Sequence, residues 1–304
     1  MLDTPHIPAS IIVLGGGAIA LELAHSNSGV GAQVTVIQRS DHVLSSLDRD
    51  LGEVVEEAFR ERGMEVFTGT HVTGAEAADG GRKRIRFEHG GAEKIIEAEE
   101  ILFALGRQPN VEGLALDQAG VARDGRRVET DAAMRTSAPN IFAAGDTTSR
   151  VEVVHLAIEQ GEAAAHNAAL HLGKIEGAPK EISYRLKLLG IFTEPQVASV
   201  GLSEAECQAE GIPHRAAKYP FDDHGKSMVG GVRHGFVKLI AHAETGELLG
   251  GSVAGPEATE LIHEIVVAMR FNATARQLAI TPHYHPTLSE IWTYPAEELA
   301  DEIG

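Results

Sequence analysis

The sequence predicts an α/β fold that opens with a nucleotide-binding domain and closes with an α+β domain holding an antiparallel sheet. Three observations carry this expectation. The apolar run Ile11-Ile12-Val13-Leu14 ends at Gly15-Gly16-Gly17 and passes directly into a helical pattern. Strand and helix patterns then alternate through residue 104, as βαβ units do. From residue 181 onward strand-like runs separated by turns follow one another, and a long helix and two short ones finish the chain.

Residues 11–14 have the continuous apolar character of a parallel strand buried on both faces. Residues 18–28 carry helical spacing, and 33–37 read as a second strand. Residues 50–62 form an amphipathic helix closed by Gly63. Short β patterns at 72–77, 84–89 and 93–98 mark an antiparallel excursion, and 101–104 is another apolar strand. Residues 105–180 are richer in Gly and Ala, with a strand at 141–144 and a helix at 153–171. In 181–304, strands at 186–192, 197–201, 236–241 and 248–253 precede a helix at 258–271. These shifts set three expected domains: 1–104, 105–180 and 181–304.

Hydrophobic residues make up 43% of the 304 and charged residues 23%, as in an ordinary globular protein. A formal net charge of −18 disfavours nucleic acid and anionic membrane surfaces as partners, since both need clustered Lys and Arg. No apolar run reaches the length of a membrane-spanning helix. The single cysteine, Cys207, excludes an intrachain disulfide and fits a reducing, cytoplasmic compartment. It falls in an expected surface helix, and an inert thiol is its simplest reading.

The strand–glycine–helix arrangement is the context that gives a dinucleotide turn its meaning. Gly15 permits the sharp turn, Gly17 lets the backbone approach a pyrophosphate, and Ala20 keeps helix and strand close. At the end of the second strand stand Gln38 and Arg39, where an acidic residue would hydrogen-bond the ribose of NAD. Gln38 removes repulsion toward a 2′-phosphate and Arg39 can pair with one, so NADP(H) is favoured over NAD(H). The alternative for Arg39 is a solvated surface charge.

Near the end, His285-Pro286-Thr287-Leu288-Ser289-Glu290 sets an imidazole five positions before a carboxylate. Pro286 disfavours the α region for His285 and suits the first turn of a helix, one turn before Glu290. A carboxylate partner selects one tautomer and stabilises the imidazolium, which makes a general acid/base near neutral pH. Two alternatives stand beside this: a metal site through His283 and His285, and a structural histidine.

Together the glycine turn and the His-Pro-Thr-Leu-Ser-Glu segment resemble the FAD- and NAD(P)-dependent disulfide oxidoreductases, the group of dihydrolipoamide dehydrogenase, glutathione reductase and mercuric reductase. The segment from Thr136 to Asp146 resembles that family's second FAD motif, with Gly145 and Asp146 set at the flavin and a helix cap as the alternative role of Asp146. The resemblance further implies that Leu156 and Ala157 pass beside the flavin ring. It places Gly106 and Arg107 near the pyridine nucleotide, and Glu22 near the nicotinamide. It makes 1–104 the NAD(P)-binding domain, 105–180 the last segment of the FAD-binding domain and 181–304 the interface domain of a homodimer. It gives His285 and Glu290 proton transfer with a substrate thiol at the dimer interface. The family's first FAD turn and its Cys-x4-Cys pair have no counterpart in this sequence, so FAD binding is expected to be partial. Residues 105–180 are expected to expose apolar surface that a partner chain carrying those parts would cover. A non-catalytic nucleotide-binding and dimerisation module is the alternative function.

Overall fold

The structure is a computed structural model and describes residues 6–148 and 151–304. The chain divides into two compact units, one formed by Met1–Gly106 with Gly190–Gly304 and the other by Arg107–Leu189.

The first unit begins with the nucleotide-binding layer. Strand β1 (Ser10–Leu14) is buried at every position, which is why its apolar residues do not alternate. It lies between β2 (Gln33–Ile37) and β7 (Glu100–Phe103), parallel to both, and β3 (Glu65–Phe67) adds to β2 in parallel. Helix α1 (Ala18–Gly29) buries Ala20, Leu21 and Ala24, two of them small residues that let helix and sheet approach. Helix α2 (Arg49–Glu61) buries Leu51, Val55 and Phe59, one residue per turn on a single stripe, and Gly63 follows at φ 84°. The expected antiparallel excursion is present as β4 (His71–Ala77), β5 (Lys83–His89) and β6 (Ala92–Ala98).

The same unit continues in a five-stranded sheet ordered β10-β11-β14-β13-β12. Its members are β10 (Leu188–Ile191), β11 (Gln196–Gly201), β12 (His214–Pro220), β13 (Phe236–His242) and β14 (Leu248–Gly255). Strands β11, β14, β13 and β12 are antiparallel in turn. The short segments β3 and β12 were not expected from the pattern. β12 is an edge strand, His-Arg-Ala-Ala-Lys-Tyr-Pro, without alternation, and pairing with β13 decides its conformation. Helix α6 (Ala258–Arg270) buries Leu261, Ile262, Ile265 and Met269.

One buried cluster joins the two sequence parts of this unit: Val36, Leu51 and Phe59 belong to it together with Ile191, Val197, Phe236 and Ala254. A buried charge network joins the same parts. The Lys238 ammonium, on β13 and only 3% exposed, donates to Asp48 (2.7 Å), Asp50 (3.1 Å) and Glu204 (3.0 Å). Burial alone would lower its pKa, but the three carboxylates outweigh it and hold Lys238 charged.

Among its described residues the second unit holds a two-residue ladder of strands, Arg123–Asp124 with Arg127–Val128 (β8 and β9), a 3₁₀ turn at Gly145–Thr147, and helix α3 (Val154–His171). The strand expected at 141–144 does not form. Among the described residues a single bridge, Phe142 with Arg135, is all the pairing this run has, and an apolar run becomes a strand only where another strand meets it. Buried residues here form small clusters, Val111, Val121, Val128 and Ala138 in one, Met134, Leu156, Ala163 and Ile182 in another. Val154, Ile158 and Leu172 are exposed.

Candidate functional site

The glycine turn folds as its sequence demands. Gly15 has φ +119°, and a Cβ there would collide with the Ala104 carbonyl, so only glycine fits. The Gly15 N–H donates to Ile37 O (2.9 Å) and the Ala104 N–H to Leu14 O (2.9 Å), which pins the turn between the ends of β2 and β7. Gly17 caps α1 and has open space where a Cβ would stand. The first bond of α1 runs from Leu21 N–H to Gly17 O (3.1 Å), so the amides before it lack intrahelical acceptors and carry the positive end of the dipole. Ala20 is buried behind the turn.

Gly15, Gly17, Gln38, Arg39 and Gly106 line one cleft of about 650 Å³. The Gln38 backbone is fixed at both ends: its N–H donates to Phe67 O (2.8 Å), and Thr70 donates to its carbonyl through N–H (3.1 Å) and Oγ1 (2.9 Å). Arg39 is exposed and has no ion pair among the described residues. Glu22 is not part of the lining. Its Oε1 accepts from the Phe192 N–H (3.0 Å), a tie between α1 and the five-stranded sheet region that the sequence did not suggest.

In the second unit Asp146 meets Arg107. Their ion pair measures 2.6 Å, and Arg107 also faces Glu152 at 3.8 Å. Arg127 binds Glu152 at 2.6 Å. Gly145 has φ +74°, and its N–H donates to the Oε1 of buried Gln160 (2.7 Å). Asp146 lies in a short 3₁₀ turn and makes no side-chain cap. Leu156 is buried on α3, while Ala157 is partly accessible and packs beside Gly145.

The third locus lies after α7 (Ala275–Ala279). His285 Nδ1 is 3.0 Å from Glu290 Oε2; the imidazole is 80% exposed and the carboxylate 11%. Pro286 does not open a helix: the His285-Pro286 peptide is cis, and the helical turn, of 3₁₀ type, starts at Ser289 and leads into α8 (Thr293–Ile303). The Thr287 N–H donates to Glu290 Oε1 (3.3 Å) and the Glu290 N–H to Thr287 Oγ1 (3.4 Å), a reciprocal lock on the turn. Burial by itself raises the Glu290 pKa, but the His285 hydrogen bond and charge, the Thr287 N–H and His224 bring it below the usual value.

His224 was not singled out by the sequence. It caps α5 (Gly225–Val229), is wholly buried, and brings Nε2 to 3.4 Å from Glu290 Oε1. Burial lowers its pKa, against the attraction of Glu290. His283 and His285 do not converge on a common ligand: His283 Nε2 binds Glu264 (2.6 Å) and its Nδ1 faces Thr281 O (2.9 Å). Among the described residues the metal-type grouping is elsewhere, at Glu57, Glu61 and His234. Cys207 lies on the inward side of α4 (Glu204–Glu210) and is fully buried. Burial, followed by the charges of Glu206, Glu210, Asp48 and Glu204, pushes its thiol pKa up and away from reactivity. No helix among the described residues is long and apolar enough to cross a membrane.

Residues 2–161 match the family model of the pyridine nucleotide-disulphide oxidoreductases. Residues 189–296 match the model of the dimerisation domain of the pyridine nucleotide-disulphide oxidoreductases. The dihydrolipoyl dehydrogenase of Geobacillus stearothermophilus is 34% identical over 297 residues, 97% of this chain and 62% of that protein. That of Chlamydia muridarum is 38% identical over 297 residues, 97% of this chain and 61% of its own length. Among solved structures, LpdA from Mycobacterium tuberculosis superposes with a TM-score of 0.83 at 31% identity, covering 98% of this chain and 63% of that one. The flavoprotein disulfide reductase RclA from Escherichia coli, at 22% identity and a TM-score of 0.82, shares the fold over 98% of this chain and 65% of its own. The chain thus spans about three fifths of the length of the curated relatives it matches.

Proposed function

The chain belongs to the pyridine nucleotide-disulphide oxidoreductase family, and from that premise we propose that it is the nucleotide-binding, partial flavin-binding and dimer-forming part of a dihydrolipoamide dehydrogenase-like oxidoreductase. The cradle at Gly15–Gly17 carries the proposal. A glycine-only turn, a cap with open space above it and a helix start without acidic residues fit a pyrophosphate. Arg39, exposed in the cleft lining and without a carboxylate partner among the described residues, supports a preference for the 2′-phosphate of NADP(H).

The family is FAD- and NAD(P)-dependent, and FAD, when bound, would accept a hydride from the reduced nicotinamide and pass electrons toward a disulphide. Gly145 and Asp146 fit one edge of such a site: the glycine, at φ +74° and beside Ala157, adds no side chain, and the Asp146 carboxylate is partly exposed beside Arg107. The chain's own chemistry lies at His285. Glu290 can only accept, so it holds the proton of His285 on Nδ1, and the Nε2 lone pair faces outward to take a proton from a thiol and later return it. Residues 181–304 form the homodimer interface in this reading, supported by the match to the dimerisation domain and by exposed Val267, Phe271, Ile280 and Tyr284. A cytoplasmic location belongs to the same reading, in keeping with a single, buried cysteine.

Calorimetric titration with NADPH and NADH tests the proposal. NADPH is expected to bind about tenfold tighter, and Arg39→Ala to abolish that difference, about 1.4 kcal/mol. Equal or tighter NADH binding overturns the NADP preference, and no binding of either at millimolar concentration overturns the nucleotide site. One observation favours a second reading, a module that acts only beside a partner chain supplying the flavin and cysteine segment: α3 presents Val154 and Ile158 to solvent, 76% and 57% exposed.

A further inference from the structure

We propose that His224 is a positioning residue for the His285–Glu290 pair, clamping one carboxylate oxygen of Glu290 so that the other stays on His285 Nδ1. The inference rests on the reading of His285 as a proton carrier and deepens it. His224 has no exposed surface, and its Nδ1 lies 2.8 Å from Ser227 Oγ. Its Nε2 is buried and lacks a hydrogen bond of good geometry among the described residues, yet it faces Glu290 Oε1 at 3.4 Å. Leaving a buried donor without an acceptor is unfavourable, so closure of that gap is favoured. A carboxylate only accepts, which assigns the His224 proton to Nε2; Nδ1 then accepts from the Ser227 hydroxyl.

Glu290 is thereby held from both sides. Oε2 accepts from His285, while Oε1 accepts from the Thr287 N–H and faces His224. The surroundings keep His224 neutral in this task. The Tyr294 ring, on α8, stands edge-on to the His224 ring at 6.1 Å and stacks on Tyr219 at 4.0 Å. Tyr219 donates to Asp223 (3.0 Å), and burial, then that hydrogen bond, pushes its phenol up to about 12, so it carries no charge toward His224. The charged groups that act on His224 are Glu290, which favours its protonation, and His285, which opposes it. A proton arriving on His285 therefore leaves His224 neutral, and Glu290 keeps its whole charge for the imidazolium. Without His224, Oε1 of Glu290 keeps only the long Thr287 N–H contact (3.3 Å), the carboxylate is held less firmly toward His285, and the imidazole loses part of its tautomer selection.

Nitrogen NMR of the His285 ring in the intact chain reads this directly. In the wild type the Nδ1–H tautomer is expected to dominate. His224→Leu is expected to shift the tautomer ratio about tenfold toward Nε2–H, and His224→Gln, which keeps a donor, to restore most of it. Glu290→Ala, which removes the acceptor, is the control for the underlying reading: no change in the His285 tautomer there sinks the pair itself. A changed tautomer in Glu290→Ala with an unchanged one in folded His224→Leu sinks only the positioning role. Should His224→Leu not fold, Ser227→Ala decides, since it frees the His224 tautomer while keeping the ring: a partial shift at His285 supports the clamp, and none overturns it.

Discussion

The two compact units differ in how far each satisfies its own buried strands and charges. In the unit of 6–106 and 190–304, β1 is flanked by strands on both sides, buried Lys238 is met by three carboxylates, and Glu290 by two histidines. In 107–189, the ladder is two residues long, the run 141–144 has one bridge, and Arg107 and Asp146 pair where both are half exposed. Charge is buried where surrounding elements are complete enough to position its partners; where they are not, charge stays in water and apolar side chains such as Val154 follow it. The chemistry follows the same division: the cradle and the His285–Glu290 pair lie in the self-satisfied unit.

Breaking the Lys238 network is the strongest test of that contrast. Lys238→Ala leaves Asp48, Asp50 and Glu204 without their shared cation and is expected to cost about 3–5 kcal/mol. The single tryptophan, Trp292, is fully buried in the same unit, so its fluorescence in urea reports the loss. Next in size is a pH effect. Burial depresses the pKa of His224, and burial followed by Arg62 depresses that of His25. The unfolded chain then takes up protons more readily than the folded one, so stability is full above about pH 6.5 and falls as the pH drops below it. Urea midpoints are expected to fall between pH 7.5 and 5.5, with a shallower fall in His224→Gln; a flat profile contradicts the burial of neutral imidazoles. The smallest effect is reserved for Arg107→Ala. Its partner pair is half exposed, so the Trp292 transition should move by less than about 1 kcal/mol, and a loss rivalling that of Lys238→Ala would erase the distinction between the units.

What the sequence made legible was local. β1, the Gly15–Gly17 turn and α1 follow one another without a gap, so each supplies the context that identifies the next. His285 and Glu290 lie five positions apart in sequence and meet at 3.0 Å across a non-helical turn. His224 and Lys238 were invisible because their partners come from distant segments: Asp48 lies 190 residues before Lys238, which sits in a largely apolar, buried strand. The misread run 141–144 shows the converse, since periodicity reports what a segment is able to pair with and not whether a partner is there. Tertiary pairing likewise made β12 from a segment with no strand pattern of its own.

Hydrogen exchange of the whole chain, with and without NADPH, decides whether the glycine turn holds the nucleotide. Strong protection is expected in β1 and β13 and weak protection across 107–189 without nucleotide, and NADPH should slow exchange chiefly at residues 15–21 and 38–40. Slowing confined to 107–189, or none at the glycine turn under saturating nucleotide, would contradict a nucleotide site at that turn.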